Sequence, residues 1–131
     1  MTDLCAAYGT SCGAGVDSGG TAGSQRPLTT AHVGACAVAI ATSFSHCALV
    51  HYDDLTPDMH TRARACADAL HAAADGTVRW YLYTGPWCSA LTEAACTQAI
   101  GRPLQRLTHT AAEPITVAPT GRCVPTDGRW P

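Results

Sequence analysis

Three residues in this chain have types and spacing that could do chemistry: Thr30, Cys36 six residues later, and His51 fifteen residues after that. A thiol beside an imidazole is the basic unit of cysteine nucleophilic catalysis, in which the ring takes the thiol proton and the thiolate attacks a carbonyl or carboxamide carbon. Thr30 offers a hydroxyl or a backbone carbonyl to hold the ring in its working tautomer. Gly34-Ala35, just before the cysteine, lets the chain bend tightly and leaves backbone N–H groups for an oxyanion. The competing reading is a small core cysteine at a strand start, since free cysteine is among the most buried residue types. With eight Cys and six His in the chain, some such neighbours also arise by chance.

The elements that must position these residues are two apolar β-like runs, Val38 to Thr42 and Cys47 to Tyr52. Ser43-Phe44-Ser45 between them is a polar break of the kind that closes a hairpin. With the turn centred between Ser43 and Phe44, Cys36 is expected directly opposite His51. Side chains alternate faces along a strand, so Cys36, Val38 and Ile40 should share a face with Cys47, Leu49 and His51. His46 is the rival base. Pairing it with Cys36 would centre the turn on Ala41 and put β-branched Ile40 and Thr42 in the loop, so His51 is preferred.

Thr30, then Val33-Gly34-Ala35-Cys36, then a hairpin and a His on the return strand, resembles the cysteine-dependent glutamine deamidases. These are the CheD chemoreceptor deamidases, the catalytic domain of the cytotoxic necrotizing factors, and Burkholderia lethal factor. Val33-Gly34-Ala35-Cys36 is similar to the Leu-Gly-Ser-Cys type motif of CheD and the Leu-x-Gly-Cys of the toxins, whose Thr also stands six residues before the Cys. The resemblance implies Cys36 as nucleophile, His51 as base and Thr30 as the residue orienting it. It covers about Thr29 to Pro57. Further on, Thr84-Gly85-Pro86 stands where CheD proteins carry Gly-Gly-Ala, Pro119-Thr120-Gly121-Arg122 replaces their Gly-Gly-x-x-Gly-Arg, and the chain has no Asn. These departures favour the toxins over a chemoreceptor enzyme.

At 131 residues, 47% hydrophobic and 14% charged, the chain reads as one globular domain with no apolar run of transmembrane length. A net charge of -2 with no basic stripe argues against nucleic acid as a partner. Residues 1–27, rich in Gly, Ser and Thr, read as an extended or loosely packed lead-in, with the catalytic domain at 28–131. The eight Cys include no C-x2-C, which gives a structural zinc site little support. Cys66 and Cys96 are expected as buried thiols, and Cys5, Cys12, Cys88 and Cys123 as the disulfide candidates, fitting a secreted or delivered protein.

Past Asp53-Asp54, read as loop acids rather than ligands, Thr56-Pro57 predicts a helix start with Thr as cap. Met59, Ala63, Cys66, Ala67, Leu70 and Ala74 make its apolar stripe, and Asp75-Gly76 its end. Thr77 to Tyr83 predicts a strand, with the aromatics packing under a helix. Ser89 should cap a second helix stopped at Gly101. Leu104 to Thr110 and Ile115 to Ala118 read as short or edge strands, and Gly121 to Pro131 as a possible further one. The order β-β-α-β-α-β-β implies an α/β (α+β) sandwich: a mixed, mostly antiparallel sheet with two main helices on one face.

The expected activity is hydrolysis of a glutamine side-chain amide in a target protein through a Cys36 thioester, with no cofactor, in a bacterial effector or toxin domain that acts in the target-cell cytosol and has a possible cognate immunity protein. The alternatives are a CheD-like chemoreceptor deamidase, a transglutaminase passing the same thioester to an amine, and a non-enzymatic disulfide-stabilised binding module.

Overall fold

The computed structural model describes residues 14–107 and 115–119. In chain order they form β1 (Ala14–Gly15), β2 (Thr21–Ser24), β3 (Leu28–Thr30), β4 (Ala37–Thr42), β5 (Cys47–Tyr52), α1 (Met59–Ala73), β6 (Arg79–Thr84), α2 (Ala90–Ile100), β7 (Gln105–Arg106) and β8 (Ile115–Val117). Five strands make one sheet in the order β2-β5-β4-β6-β7, antiparallel except where β7 runs parallel to β6. A second sheet, β1-β3-β8, has β1 parallel and β8 antiparallel to β3. The architecture is the α+β sandwich with a mixed, mostly antiparallel sheet that the sequence implies.

The alternation in β4, AVAIAT, explains the layering. Every residue of this central strand is buried, so each face must have a cover. Ala37, Ala39 and Ala41 join Ala48, Val50, Trp80 and Leu82 against Met59, Ala63, Ala67 and Leu70 of α1 and Cys96, Ala99 and Ile100 of α2. Small side chains on the strand and on the helices let the backbones approach closely, and dispersion contacts accumulate at that short range. Val38 and Ile40 face the other way, with Cys47, Leu49, Tyr81 and Tyr83, against Leu28, Ile115 and Val117 of the small sheet. The tyrosines therefore pack under that sheet, and it is Trp80 that lies on the helix side, donating its indole N–H to His71 Nε2 at 2.9 Å.

Several boundaries differ from the sequence expectation. The stretch 14–27, read as loose lead-in, contributes β1 and also β2, which pairs with β5 from Thr21↔Val50 to Ser24↔Cys47. Helix α1 begins at Met59 rather than after Thr56, because Asp58 takes a left-handed conformation (φ 58°) and becomes the N-cap. Thr56 belongs instead to the preceding turn, its N–H donating to the Asp53 carbonyl at 3.2 Å. The buried stripe of α1 is Met59, Ala63, Ala67 and Leu70, as its spacing requires, and the helix closes at Ala74. Ser89 caps α2 by accepting from the Thr92 N–H at 3.1 Å, and Gly101 ends it. Of the strand expected at Leu104 to Thr110 only Gln105–Arg106 pairs within the described residues, and the expectation for Gly121 to Pro131 lies outside them. Among the described residues no helix is long and apolar enough to cross a membrane.

Ile40 is fully buried at the centre of β4 on the face toward the small sheet. Ile40→Ala is expected to cost about 2–5 kcal/mol in urea denaturation, as large-to-small changes in a packed core do, whereas Phe44→Ala, at the exposed hairpin tip, should fall within about 0.5 kcal/mol of the parent.

Candidate active site

The β4–β5 hairpin sets the geometry. Its turn is four residues long, Ser43 to His46, and is closed by the Ser43 N–H donating to the His46 carbonyl at 2.8 Å. The Ser43 hydroxyl oxygen accepts from the N–H groups of Ser45 (3.2 Å) and His46 (3.0 Å). His46 is thus part of the turn and not the first residue of the return strand. The register that results pairs Val38 with His51, two residues from the Cys36–His51 pairing expected with a turn centred between Ser43 and Phe44. A shift of two preserves parity, so Cys36 stays on the His51 face as a diagonal neighbour, a relation of about 7–8 Å between Cα atoms. His46 is buried at the far end of β4, about 20 Å from Cys36 at the usual rise per residue, with its Nδ1 on Ser45 Oγ at 2.7 Å.

Thr30 reaches His51 from the other sheet. Its Oγ1 lies 2.7 Å from His51 Nδ1 and 2.6 Å from the carbonyl oxygen of Val16. A hydroxyl has one proton to donate and a carbonyl can only accept, so that proton goes to Val16. Thr30 Oγ1 must then accept from His51 Nδ1–H. The neutral ring is fixed with its proton on Nδ1, which makes Nε2 the basic nitrogen. Both side chains are buried, and the low local dielectric strengthens this chain of hydrogen bonds.

One segment that sequence reasoning did not single out touches all three residues. Val16 accepts from Thr30, and its own N–H donates to the Thr29 carbonyl at 2.8 Å. Asp17 to Gly20 form a tight turn closed by the Gly20 N–H on the Asp17 carbonyl at 2.8 Å, with Gly19 at φ 79° as this turn geometry requires. The Gly19 N–H donates to the His51 carbonyl (2.9 Å) and the His51 N–H to the Gly20 carbonyl (3.0 Å), extending the β2–β5 ladder to the histidine. Ser18 Oγ lies 3.7 Å from Cys36 Sγ and donates to Asp53 Oδ2 at 2.9 Å. A sequence cue existed in Asp-Ser-Gly-Gly, a turn signature, but nothing local says what the turn contacts.

Gly34 and Ala35 lie in the connection from β3 to β4, which turns at His32 (φ 61°). This loop is held through its carbonyls: the Gly85 N–H donates to Cys36 O at 3.0 Å and the Trp87 N–H to Gly34 O at 2.9 Å. Gly85 packs so closely that a Cβ there would sit 1.5 Å from the Val33 carbonyl oxygen and 2.3 Å from that of Gly34. The Trp87 ring covers Gly34 and is 78% exposed. A groove of about 340 Å³, lined by Ser18, Thr30, Ala31 and His32 among others, borders the site. Another cavity, of about 600 Å³, lies elsewhere, between His71, Trp80 and Leu104.

Burial pushes the Cys36 thiol above its usual range; Ser18 opposes that rise, and the charges of Asp53 and Asp54 add to it. Cys36 is thereby held toward its thiol form, unlike the low-pKa cysteines that rest as thiolates. Asp53 and Asp54 serve as loop acids: Asp53 Oδ1 accepts from the Leu55 N–H at 2.9 Å, and Asp54 accepts from Thr92 at the start of α2. Cys96 is a buried thiol, as its helical position suggested, and Cys66 is half-buried at the edge of the same cluster; burial pushes them up to about 12 and about 11. Cys88, a disulfide candidate from the sequence, is a free, half-buried thiol; Cys5, Cys12 and Cys123 lie outside the described residues. Among the described residues no group of three or more His, Cys, Asp or Glu side chains is placed to hold a metal ion.

Comparison of the sequence with protein-family models and with curated proteins finds no match.

Two outcomes are expected. Gly85→Ala should destabilise by about 3 kcal/mol in chemical denaturation, at the upper end of overpacking costs, because backbone atoms cannot yield as a side chain can. In peptide-resolved labelling with iodoacetamide, Cys36 should react slowly at neutral pH, its rate climbing as pH rises above the usual thiol range.

Proposed function

We propose that this protein is a cysteine-dependent hydrolase that deamidates glutamine side chains of a target protein, as an effector or toxin domain. The observation that carries the reading is the Val16–Thr30–His51 hydrogen-bond chain, which holds the ring by Nδ1 on the hairpin face that Cys36 shares and leaves Nε2 as its basic nitrogen. A rigidly oriented imidazole beside a resting thiol is the arrangement of a nucleophile activated by a neighbouring base.

In this scheme His51 Nε2 takes the Cys36 proton as Sγ attacks the carboxamide carbon and the S–C bond forms. Backbone N–H groups of the Gly34-Ala35 loop receive the negative charge that develops on oxygen. His51 then gives its proton to the departing nitrogen, the C–N bond breaks and ammonia leaves a thioester. Water, deprotonated by the same Nε2, attacks the thioester carbon. The C–S bond breaks, the thiol is restored and the product is a glutamate side chain.

A macromolecular substrate fits the surroundings. Trp87, Leu55 and Leu91, on or beside the loops around Cys36, are 78%, 91% and 81% exposed. Large apolar side chains in the open on loops that frame a reactive group suit contact with another protein. An open groove at the site also suits a chain laid across it.

The test is quantitative mass spectrometry of Gln-to-Glu conversion in the proteome of cells producing the protein, compared with cells producing Cys36→Ser. Conversion at one or a few sites with the parent alone is expected. His51→Ala should lower it by at least a thousandfold and His46→Ala should leave it within about twofold. Amine-crosslinked glutamines in place of glutamates would replace hydrolysis by transfer at the same thiol, and toxicity without any Cys36-dependent change would overturn the reading.

A further inference from the structure

Ser18 is exposed in the Asp17–Gly20 turn, yet its hydroxyl lies between the two groups that matter most to the state of the thiol, 3.7 Å from Cys36 Sγ and 2.9 Å from Asp53 Oδ2. The turn that carries it is over-determined. Gly19 and Gly20 bond to both backbone groups of His51, and a Cβ on Gly19 would meet the Thr56 side chain at 2.1 Å. Asp53 is equally constrained, with Oδ1 on the Leu55 N–H, its carbonyl on the Thr56 N–H, and Oδ2 on Ser18. Such fixed geometry at an exposed serine is a reason to look for work done by its hydroxyl.

A serine hydroxyl has one proton and two lone pairs. While Cys36 is a thiol, the Ser18 proton goes to Asp53 Oδ2 and Ser18 accepts from S–H. Once the thiol proton has gone to His51, the sulfur is an anion competing with Asp53 for that same Ser18 proton. Resting on the reading of Cys36 as the nucleophile, we infer that Ser18 is a catalytic hydrogen-bonding group for the Cys36 sulfur, and that Asp53 is a positioning residue that orients its hydroxyl and competes for its proton. No bond to carbon changes in this step; the S–H bond breaks and an N–H bond forms. The thiol proton moves to His51 Nε2, and the Ser18 O–H turns from Oδ2 to Sγ.

The effect is a thiol that keeps its proton at rest and loses less by giving it up during attack. The ionisable groups that act on the sulfur are Asp53 and Asp54 after β5 and Cys88 after β6, with His51 on the same face of the hairpin. Burial first, with Asp53 and Asp54 adding to it, holds the thiol proton in place, and Ser18 opposes them. Cys88 is itself pushed up by burial first and by Cys36 second, so it stays a neutral thiol at working pH.

The test is the pH profile of Cys36 carbamidomethylation by iodoacetamide, followed by peptide mass spectrometry in the full chain, for the parent, Ser18→Ala, Ser18→Thr, Asp53→Asn and the double variant Ser18→Ala/Asp53→Asn. Near neutral pH, Ser18→Ala should slow labelling about tenfold, the usual scale of a hydrogen bond to a charged group, and move the profile to higher pH. Ser18→Thr, which keeps the hydroxyl, should restore it. Asp53→Asn should speed labelling, both by removing a charge and by freeing the Ser18 proton, and its effect should be several-fold smaller in the Ser18→Ala background. Thermal unfolding of each variant checks the fold, and Ser18→Gly gives the same comparison should Ser18→Ala not fold.

A Cys36 profile unchanged in Ser18→Ala overturns the inference, as does an Asp53→Asn effect of equal size with and without Ser18, which would make Asp53 a distant charge alone. The labelling does not depend on deamidation. A Ser18-dependent profile in a protein that converts no glutamine would sink the functional proposal and leave this one standing, and the reverse pair of results would do the opposite.

Discussion

The contact on which the site depends is a single hydroxyl. Thr30 stands where the two sheets meet, and its one proton is committed to the Val16 carbonyl, so it can only accept from His51. That constraint turns an imidazole with two tautomers into a base with one. It also explains the small sheet. β1 and β8 hold β3 from either side, β3 holds Thr30, and the packing of Leu28, Ile115 and Val117 on Val38 and Ile40 keeps Thr30 within hydrogen-bond distance of β5.

The other layer serves the same end differently. The alanines of β4 and the small residues of α1 and α2 allow close packing, and the helices tie back to the loops that flank Cys36. Arg64 of α1 donates to the Gln98 carbonyl at 2.7 Å and also to the Ala99 carbonyl, joining the two helices, and Thr92 of α2 bonds Asp54. The β6–α2 connection in turn grips Cys36 and Gly34 through Gly85 and Trp87. Cys36 and His51 are thus held by different elements, with β4 between them as the common reference.

The face shared by Cys36 and His51 was legible because strand parity survives an error in turn length. Ser43-Phe44-Ser45 marks a turn, but its size depends on the Ser43 side chain accepting two backbone N–H groups, which no pattern states. Pairing therefore moved by two residues and the face did not change. The helices were legible from their apolar stripes, while the start of α1 was not, because Asp58 adopts a left-handed conformation after a Thr-Pro that mimics a cap. The largest gap was Val16 to Gly20. A Gly/Ser/Asp stretch has no periodicity, and its value lies in contacts with Thr30, Cys36 and His51, all remote in sequence. Gly85 reads as a turn residue, and only packing reveals that it touches the loop before Cys36.

The central claim is the proton on His51 Nδ1, and two-bond 1H–15N correlation spectroscopy of the imidazole in the resting protein, at a pH where the ring is neutral, tests it most directly. The account predicts an Nδ1 that carries the proton and an Nε2 with the shift of an unprotonated ring nitrogen. A proton found on Nε2 would contradict it, since that nitrogen would then have no lone pair with which to accept a proton from a thiol.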